Sequence, residues 1–80
     1  MGIGDAVRDR ILELCRERDI SINKLSTISG VTQSTVNNIV SGRNNSTTVS
    51  TVKKLCDGLG ITMEEFFKSD LFRSLEQEIK

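Results

Sequence analysis

The chain has 80 residues, of which 36% are hydrophobic and 28% charged, and its formal net charge is zero. A chain of this length builds one small core with a thin margin of stability, so we expect a single domain over 1–80. The absence of histidine excludes Ser-His, Cys-His and His-metal sites built from this chain alone. The apolar runs are too short to cross a membrane, and the first residues lack a signal-peptide pattern. We therefore expect a cytoplasmic protein with no cofactor, no metal and no small-molecule ligand.

The two cysteines, Cys15 and Cys56, have no CxxC spacing and no histidine to join them at a metal. One disulfide remains possible. Both residues nevertheless fall at apolar positions of predicted helices, which favours two reduced thiols inside the core.

Capping residues and glycines divide the chain into helical segments. Asp5 is expected to cap a first helix over 5–18, in which apolar residues recur at intervals of three and four. Arginines alternate with acidic residues between these apolar positions, which is typical of a solvated helix face. Ser21 then begins a second helix over 22–29, and Gly30 follows it in the position that usually adopts a left-handed conformation.

The rest of the chain continues the same pattern. Thr32 begins a third helix over 33–41, which Gly42 ends, and a polar loop follows it. Further caps and glycines predict helices over 49–59, 63–68 and 70–79. No strand is predicted, because alternation of apolar and polar residues never persists. The sequence thus predicts an all-α fold, with five helices forming a compact unit and an additional short helix at the C-terminus.

Charges are unevenly distributed along the chain. A zero net charge and a calculated pI near 6.2 argue against a nucleic-acid binder. Between Asp19 and Asp57, however, there is no acidic residue, and four cations give this window a charge of +4. These cations are Lys24, Arg43, Lys53 and Lys54. The window is therefore able to face a polyanion.

Two short helices joined by a glycine-containing turn, over 22–41, are the signature of a helix-turn-helix. In such motifs the second helix enters the major groove of DNA and contacts base edges with residues near its N-terminus. With its apolar residues turned inward, the outward positions of this helix are Gln33, Ser34, Asn37 and Asn38. Glutamine and asparagine form paired hydrogen bonds with adenine, and a capped helix N-terminus favours phosphate.

Several short stretches of this chain resemble the Cro and lambda-type repressor helix-turn-helix family, of the xenobiotic-response-element type. The resemblance covers residues 7 to 67 and includes all five helices in order. The matching residues are Leu25-Ser26, Gly30-Val31-Thr32, Val36, Ile39, Ser41-Gly42-Arg43 and Leu59-Gly60-Ile61-Thr62. The chain departs from the family at Ile22, where many members carry a glutamine that contacts the DNA backbone and supports the first recognition glutamine.

The resemblance implies a compact five-helix domain that binds double-stranded DNA, usually as a dimer, to regulate transcription. It implies base-reading roles for residues of the recognition helix and for the loop residue Asn44, and phosphate contacts on both sides of the motif. Together with the outward position of Asn37, the candidate base-reading residues are Gln33, Ser34, Asn37, Asn38 and Asn44. The candidate phosphate contacts are Ser21, Asn23, Lys24, Thr32, Thr35, Arg43, Asn45 and Ser46.

The favoured function is sequence-specific DNA binding by a transcriptional repressor that acts as a homodimer on a palindromic operator. The alternative is a protein-interaction module, such as the antitoxin partner of a toxin-antitoxin pair, because fold and function separate readily. Such a module would use an apolar face at the C-terminus, namely Leu71, Phe72, Leu75 and Ile79, which could equally pack back onto the first helix. An enzyme is not expected, since no nucleophile-base pair, metal cluster or phosphate-cradling loop is present.

One rival interpretation concerns order itself. From 20 to 51, 18 of 32 residues are Ser, Thr or Asn, a composition also found in disordered linkers. Apolar residues at the spacing of two short helices argue for a folded segment instead.

Overall fold

Helices dominate the part of the chain that the structure, a computed structural model, describes: residues 2–43, 47–75, 77 and 79. The α-helices are α1 (Ile3–Arg18), α2 (Ile22–Ser29), α3 (Gln33–Val40), α4 (Val49–Leu59) and α5 (Met63–Phe67), and a 3-10 turn follows at Asp70–Phe72. None of the described residues lies in a strand. The predicted all-α fold is confirmed, and the segment between α1 and α3 is ordered helix rather than linker. None of the helices described is long and apolar enough to cross a membrane.

Hydroxyl side chains begin four of these helices. In each case the side-chain oxygen accepts a hydrogen bond from the backbone N–H three residues later, at 3.0–3.3 Å. The capping residues of α2, α3, α4 and α5 are Ser21, Thr32, Thr48 and Thr62. Because this signal is local, the predicted starts of these helices agree with the structure.

The start of α1 was predicted two residues too late. The helix begins at Ile3 and its N-cap is Gly2, so Asp5 is not the cap. Instead, the Asp5 carboxylate lies within the first turn and accepts a hydrogen bond from the Gly2 N–H at 3.3 Å. An acidic residue is favourable in either position, because both lie near the positive end of the helix dipole.

The core lies between α1, α2, α3 and α4, and α5 also contributes to it. Its largest fully buried side chains include Ile11 of α1, Ile39 of α3, Leu55 of α4 and Phe66 of α5. α2 packs mainly against α4, and α3 contacts α1. The two longest helices, α1 and α4, therefore support α2 and α3. The two cysteines are free thiols in this core, as predicted, and burial raises the pKa of each.

Arg10 departs from the expectation of a solvated arginine face on α1. Its side chain is only 12% exposed and forms an ion pair with Glu13. Its Nε donates to the carbonyl of Phe66 at 2.7 Å, and its Nη2 donates to the carbonyl of Glu65 at 2.9 Å. These carbonyls belong to the end of α5, where intrahelical donors run out. Arg10 therefore joins α1 to the C-terminus of α5.

The helix predicted over 70–79 is wrong for the described residues. Only Asp70–Phe72 is helical, as one 3-10 turn, and residues 73–75, 77 and 79 are not in a helix. The ring of Phe72 packs against those of Phe66 and Phe67, with centroids 6.1 and 4.9 Å away, and this segment contacts α1. Further along the same face, Leu75 is half-buried and Ile79 is 81% exposed. A short helix without tertiary contacts is marginal in water.

Candidate DNA-binding surface

A three-residue turn sets the angle between α2 and α3. Gly30 ends α2 with φ +70°, and its N–H donates to the carbonyl of Ser26 at 3.0 Å. The Ser26 hydroxyl in turn donates to the carbonyl of Val31, whose side chain is buried. Val36 and Ile39 are fully buried on the inner side of α3. The turn and these two residues fix which side of α3 faces solvent.

The outer side of α3 is polar and uncharged. Gln33, Ser34 and Asn37 are exposed, as predicted, whereas Asn38 is half-buried at the edge of this surface. Thr35 is also half-buried, and its hydroxyl is hydrogen-bonded to the hydroxyl of Thr32, the N-cap, at 2.8 Å. The outer residues of α3 are therefore hydrogen-bonding side chains that carry no formal charge.

The Gln33 side chain is held by α2. Its Nε2 donates to Oδ1 of Asn23, which lies one residue after Ile22. Ile22 is partly buried and packs against the core. The position that carries a supporting glutamine in many relatives is thus apolar here, and its neighbour Asn23 makes the contact with Gln33.

This pairing was missed by sequence reasoning, which assigned Asn23 to phosphate alone. A usable signal was present, because an inward-facing Ile22 turns the next side chain of α2 toward solvent. The partner of that side chain is ten residues away and was not evident from spacing.

The candidate phosphate contacts flank this surface. Ser21 and Thr32 are exposed, and each accepts a backbone N–H as a helix cap. Lys24 and Arg43 are exposed and form no ion pair with any described residue. Lys53, in contrast, is paired with Asp57. The phosphate candidates Asn45 and Ser46, and the base-reading candidate Asn44, lie outside the described residues. The roles assigned to all of these positions stay predictions.

Two short helices locked by a glycine turn, the second presenting uncharged hydrogen-bonding side chains from its capped N-terminus, define a DNA-binding helix-turn-helix. Comparisons with known proteins agree. A family model for the Cro/C1-type helix-turn-helix DNA-binding domain matches residues 10–70. The chain belongs to this family, as the sequence predicted, and its members are DNA-binding domains of transcription regulation.

A solved structure, the crystal structure of prophage Lp1 protein 11, has a similar fold. It is 33% identical in sequence and superimposes with a TM-score of 0.80, covering 94% of this chain and 100% of its own. No curated protein sequence matches the chain.

Proposed function

We propose that this protein recognises specific double-stranded DNA sequences as a homodimer and represses transcription, with α3 lying in the major groove. The observation that carries this proposal is the hydrogen bond between Gln33 and Asn23. It holds an exposed amide at the first residue of α3, where helices of this motif contact base edges.

The groove-facing side of α3 supports direct reading of bases. Ser34 follows Gln33, and Asn37 lies one helical turn further along the same side. Glutamine and asparagine each offer a donor and an acceptor, which match N7 and N6 of adenine. Asn38 is half-buried and is expected to reach only the edge of the groove, where Asn44 would extend the contact.

Charged phosphate contacts must come from outside α3, because α3 has no cation. Lys24 near the start of α2 and Arg43 after the end of α3 are free to neutralise phosphates on either side. The exposed hydroxyls of Ser21 and Thr32 lie at helix N-termini, which attract anions. Thr35, Asn45 and Ser46 complete the proposed set.

A homodimer follows from the small size of the reading surface. α3 has eight residues, and few of them are exposed, so one copy makes too few base contacts for high specificity. Two copies would read half-sites about 34–36 Å apart on a palindromic operator. We expect the contact between copies to use the end of α4, α5 and the segment after it, where Phe67 is 38% exposed. Repression would follow because a major groove that contains α3 is not accessible to other DNA-binding proteins.

The protein-interaction alternative loses its main support. Phe72, expected on the free apolar face, packs against the core instead. Leu71 and Leu75 are half-buried, and Ile79 is the exposed member of that set.

Selection of bound sequences from random duplex DNA, at one stated salt concentration, tests the proposal. We expect enrichment of a palindrome whose half-site centres are about one helical turn apart. Analytical ultracentrifugation of the selected duplex should give two chains for each site. Gln33→Ala should lose the preference at one base pair in each half-site, while Thr27→Ala, an exposed position of α2, should retain it. Failure to enrich any sequence, or a 1:1 complex on a non-palindromic site, would contradict the proposal.

A further inference from the structure

The side chain of Arg8, in α1, lies against the residue that follows α3 and its C-cap. The Nη1 atom of Arg8 is 3.8 Å from the position that a β-carbon on Gly42 would occupy. We propose that Arg8 binds a phosphate of the DNA backbone, which adds α1 to the elements that contact DNA. This inference rests on the proposed function, because it adds a contact to the same DNA-binding surface.

Gly42 begins the segment that leads from the recognition helix to α4. It follows Ser41, the C-cap of α3, and its φ of +83° ends the helical path of the chain. Arg43 comes next and is exposed. Since consecutive Cα atoms are about 3.8 Å apart, the guanidinium of Arg8 lies roughly one residue from the backbone of Arg43. Folding therefore brings a cation of α1 to the end of α3 from which Arg43 is expected to bind phosphate.

The guanidinium of Arg8 retains donors for a further partner. Its Nε donates to Oδ1 of Asp9 at 3.1 Å, and its Nη1 lies 3.4 Å from Oδ1 of Asp5. A guanidinium has five N–H donors, and Nη2 forms no hydrogen bond with any described residue. The side chain is 30% exposed. A phosphate oxygen can therefore be bound without breaking either ion pair.

The two carboxylates position the Arg8 side chain and also limit the strength of its contact with DNA. Asp5 is itself fixed, because its second oxygen accepts the Gly2 N–H at 3.3 Å in the first turn of α1. An arginine that is already held in one place loses less conformational freedom when it binds a ligand. The carboxylates offset part of its charge, so we expect the contact with phosphate to be as modest as an exposed ion pair.

The backbone of DNA is the part of the duplex that Arg8 fits. Base edges are contacted from α3, whose outer side chains are uncharged. A cation on a neighbouring helix meets the phosphates that border the groove, and these carry one negative charge per about 1.7 Å of duplex axis. The planar guanidinium also matches the oxygens of a phosphate. Arg8 is therefore expected to strengthen binding to all sequences alike.

The test is a salt titration of binding by the full chain, on the selected duplex and on an unrelated duplex. Arg8→Gln removes the charge and keeps much of the length of the side chain. It should weaken binding about 2- to 5-fold on both duplexes and lower the slope of log affinity against log salt by about 0.9. Arg8→Lys keeps the charge and should keep the slope.

Arg16→Gln is the matched control, because it removes the same charge from an exposed position of the same helix. Its slope should equal that of the wild type. Circular dichroism and urea unfolding of each variant establish that the chain is folded under the conditions of the titration.

Ethylation of single phosphates locates the contact on the duplex. The phosphate bound by Arg8 is the one whose ethylation weakens binding of the wild type but not of Arg8→Gln. The phosphate bound by Arg43 is identified in the same way with Arg43→Ala. Because both side chains come from the same end of α3, the two phosphates should lie within about two nucleotides of each other on one strand.

The possible outcomes are distinct. An unchanged slope in Arg8→Gln, an equal fall in Arg16→Gln, or two phosphates far apart would overturn this inference and leave the proposed function standing. Loss of discrimination at one base pair in Arg8→Gln would also overturn it, since Arg8 would then be a base reader. Absence of any preferred sequence would overturn the proposed function, while the slope on the unrelated duplex would still decide the role of Arg8.

Discussion

Gly58 of α4 and Ser29 of α2 bring the backbones of these two helices into direct contact. A β-carbon placed on Gly58 would lie 2.7 Å from the Cα and 2.8 Å from the N of Ser29. Both distances are to backbone atoms, which cannot move aside as a side chain would. The contact sets the position of α2 on α4, and α2 in turn carries the Asn23 that holds Gln33.

Gly58→Ala should destabilise the protein even though alanine is the better helix former. Alanine in a helix interior gains about 1 kcal/mol over glycine, but overpacking against a backbone costs about 1–3 kcal/mol. We expect a net loss of up to about 2 kcal/mol in urea unfolding. Ser50→Ala, at an exposed position of the same helix, is the control and should be neutral or slightly stabilising. Equal stability of the two variants would show that α2 can shift without cost.

Arg10→Lys should destabilise the protein by about 1–3 kcal/mol, because one ammonium cannot reproduce the fork that bonds to two carbonyls of α5. The variant keeps the net charge, so urea unfolding reports the lost geometry. Arg8→Lys is the matched control, since Arg8 is 30% exposed and pairs only with the nearby Asp5 and Asp9 among the described residues. Its change should be about 0–1 kcal/mol. Hydrogen exchange should also speed up in α5 for Arg10→Lys; similar losses in both variants would argue against this role of Arg10.

The cap of α5 should make stability depend on pH. The Glu65 carboxylate accepts the Thr62 N–H at 3.0 Å, and this bond holds the pKa of Glu65 below its ordinary value. The folded protein then binds fewer protons than the unfolded chain in acid. The stabilisation is therefore fully present above the unfolded value of about 4.3, and it is lost as pH falls through the lower folded value.

Comparing the thermal midpoint of the wild type with that of Glu65→Gln between pH 7 and pH 2 should reveal this loss. The difference between the two proteins should be constant at neutral pH and shrink in acid. Glu64→Gln removes a carboxylate from the same helical turn without touching the bond to Thr62, and it serves as the control. An identical pH profile for both variants would trace the effect to the helix dipole alone.

Local signals were sufficient to predict most of this fold. The hydroxyl caps at Ser21 and Thr32 satisfy backbone donors only three residues away, so a short stretch of sequence contains both partners. The exposure of Gln33 and Asn37 follows in the same way from the helical period of the apolar residues around them.

Contacts between distant segments could not be predicted in this way. Arg10 reaches carbonyls 55 and 56 residues further along the chain, and nothing in its own neighbourhood distinguishes it from a solvated arginine. In the segment over 70–79 a helix was predicted, but among the described residues only Asp70–Phe72 is helical, as one 3-10 turn. Its apolar spacing is helical, but a short helix also needs a surface for its apolar face, and among the described residues of that face Ile79 is 81% exposed.

Arg43→Ala should distinguish contacts to DNA phosphates, which do not depend on sequence, from contacts to base edges, which do. Arg43 is exposed and unpaired among the described residues, so its loss should weaken binding equally on matched and mismatched duplexes. The slope of log affinity against log salt should fall by about 0.9 for the lost phosphate contact. Gln33→Ala should do the reverse, costing about 1–3 kcal/mol at one base pair and leaving the slope unchanged, because an amide releases no counterion.

Arg16→Ala removes the same charge at an exposed position of α1, outside the acid-free window, and should leave the slope as it is. A fall in slope as large as that of Arg43→Ala would mean that the salt dependence of binding reflects the overall charge of the protein and not a phosphate contact at Arg43. A loss of discrimination at one base pair in Arg43→Ala would instead make Arg43 a base reader. Because the chain as a whole is neutral, the total slope should be small, and each true phosphate contact should remove a measurable share of it.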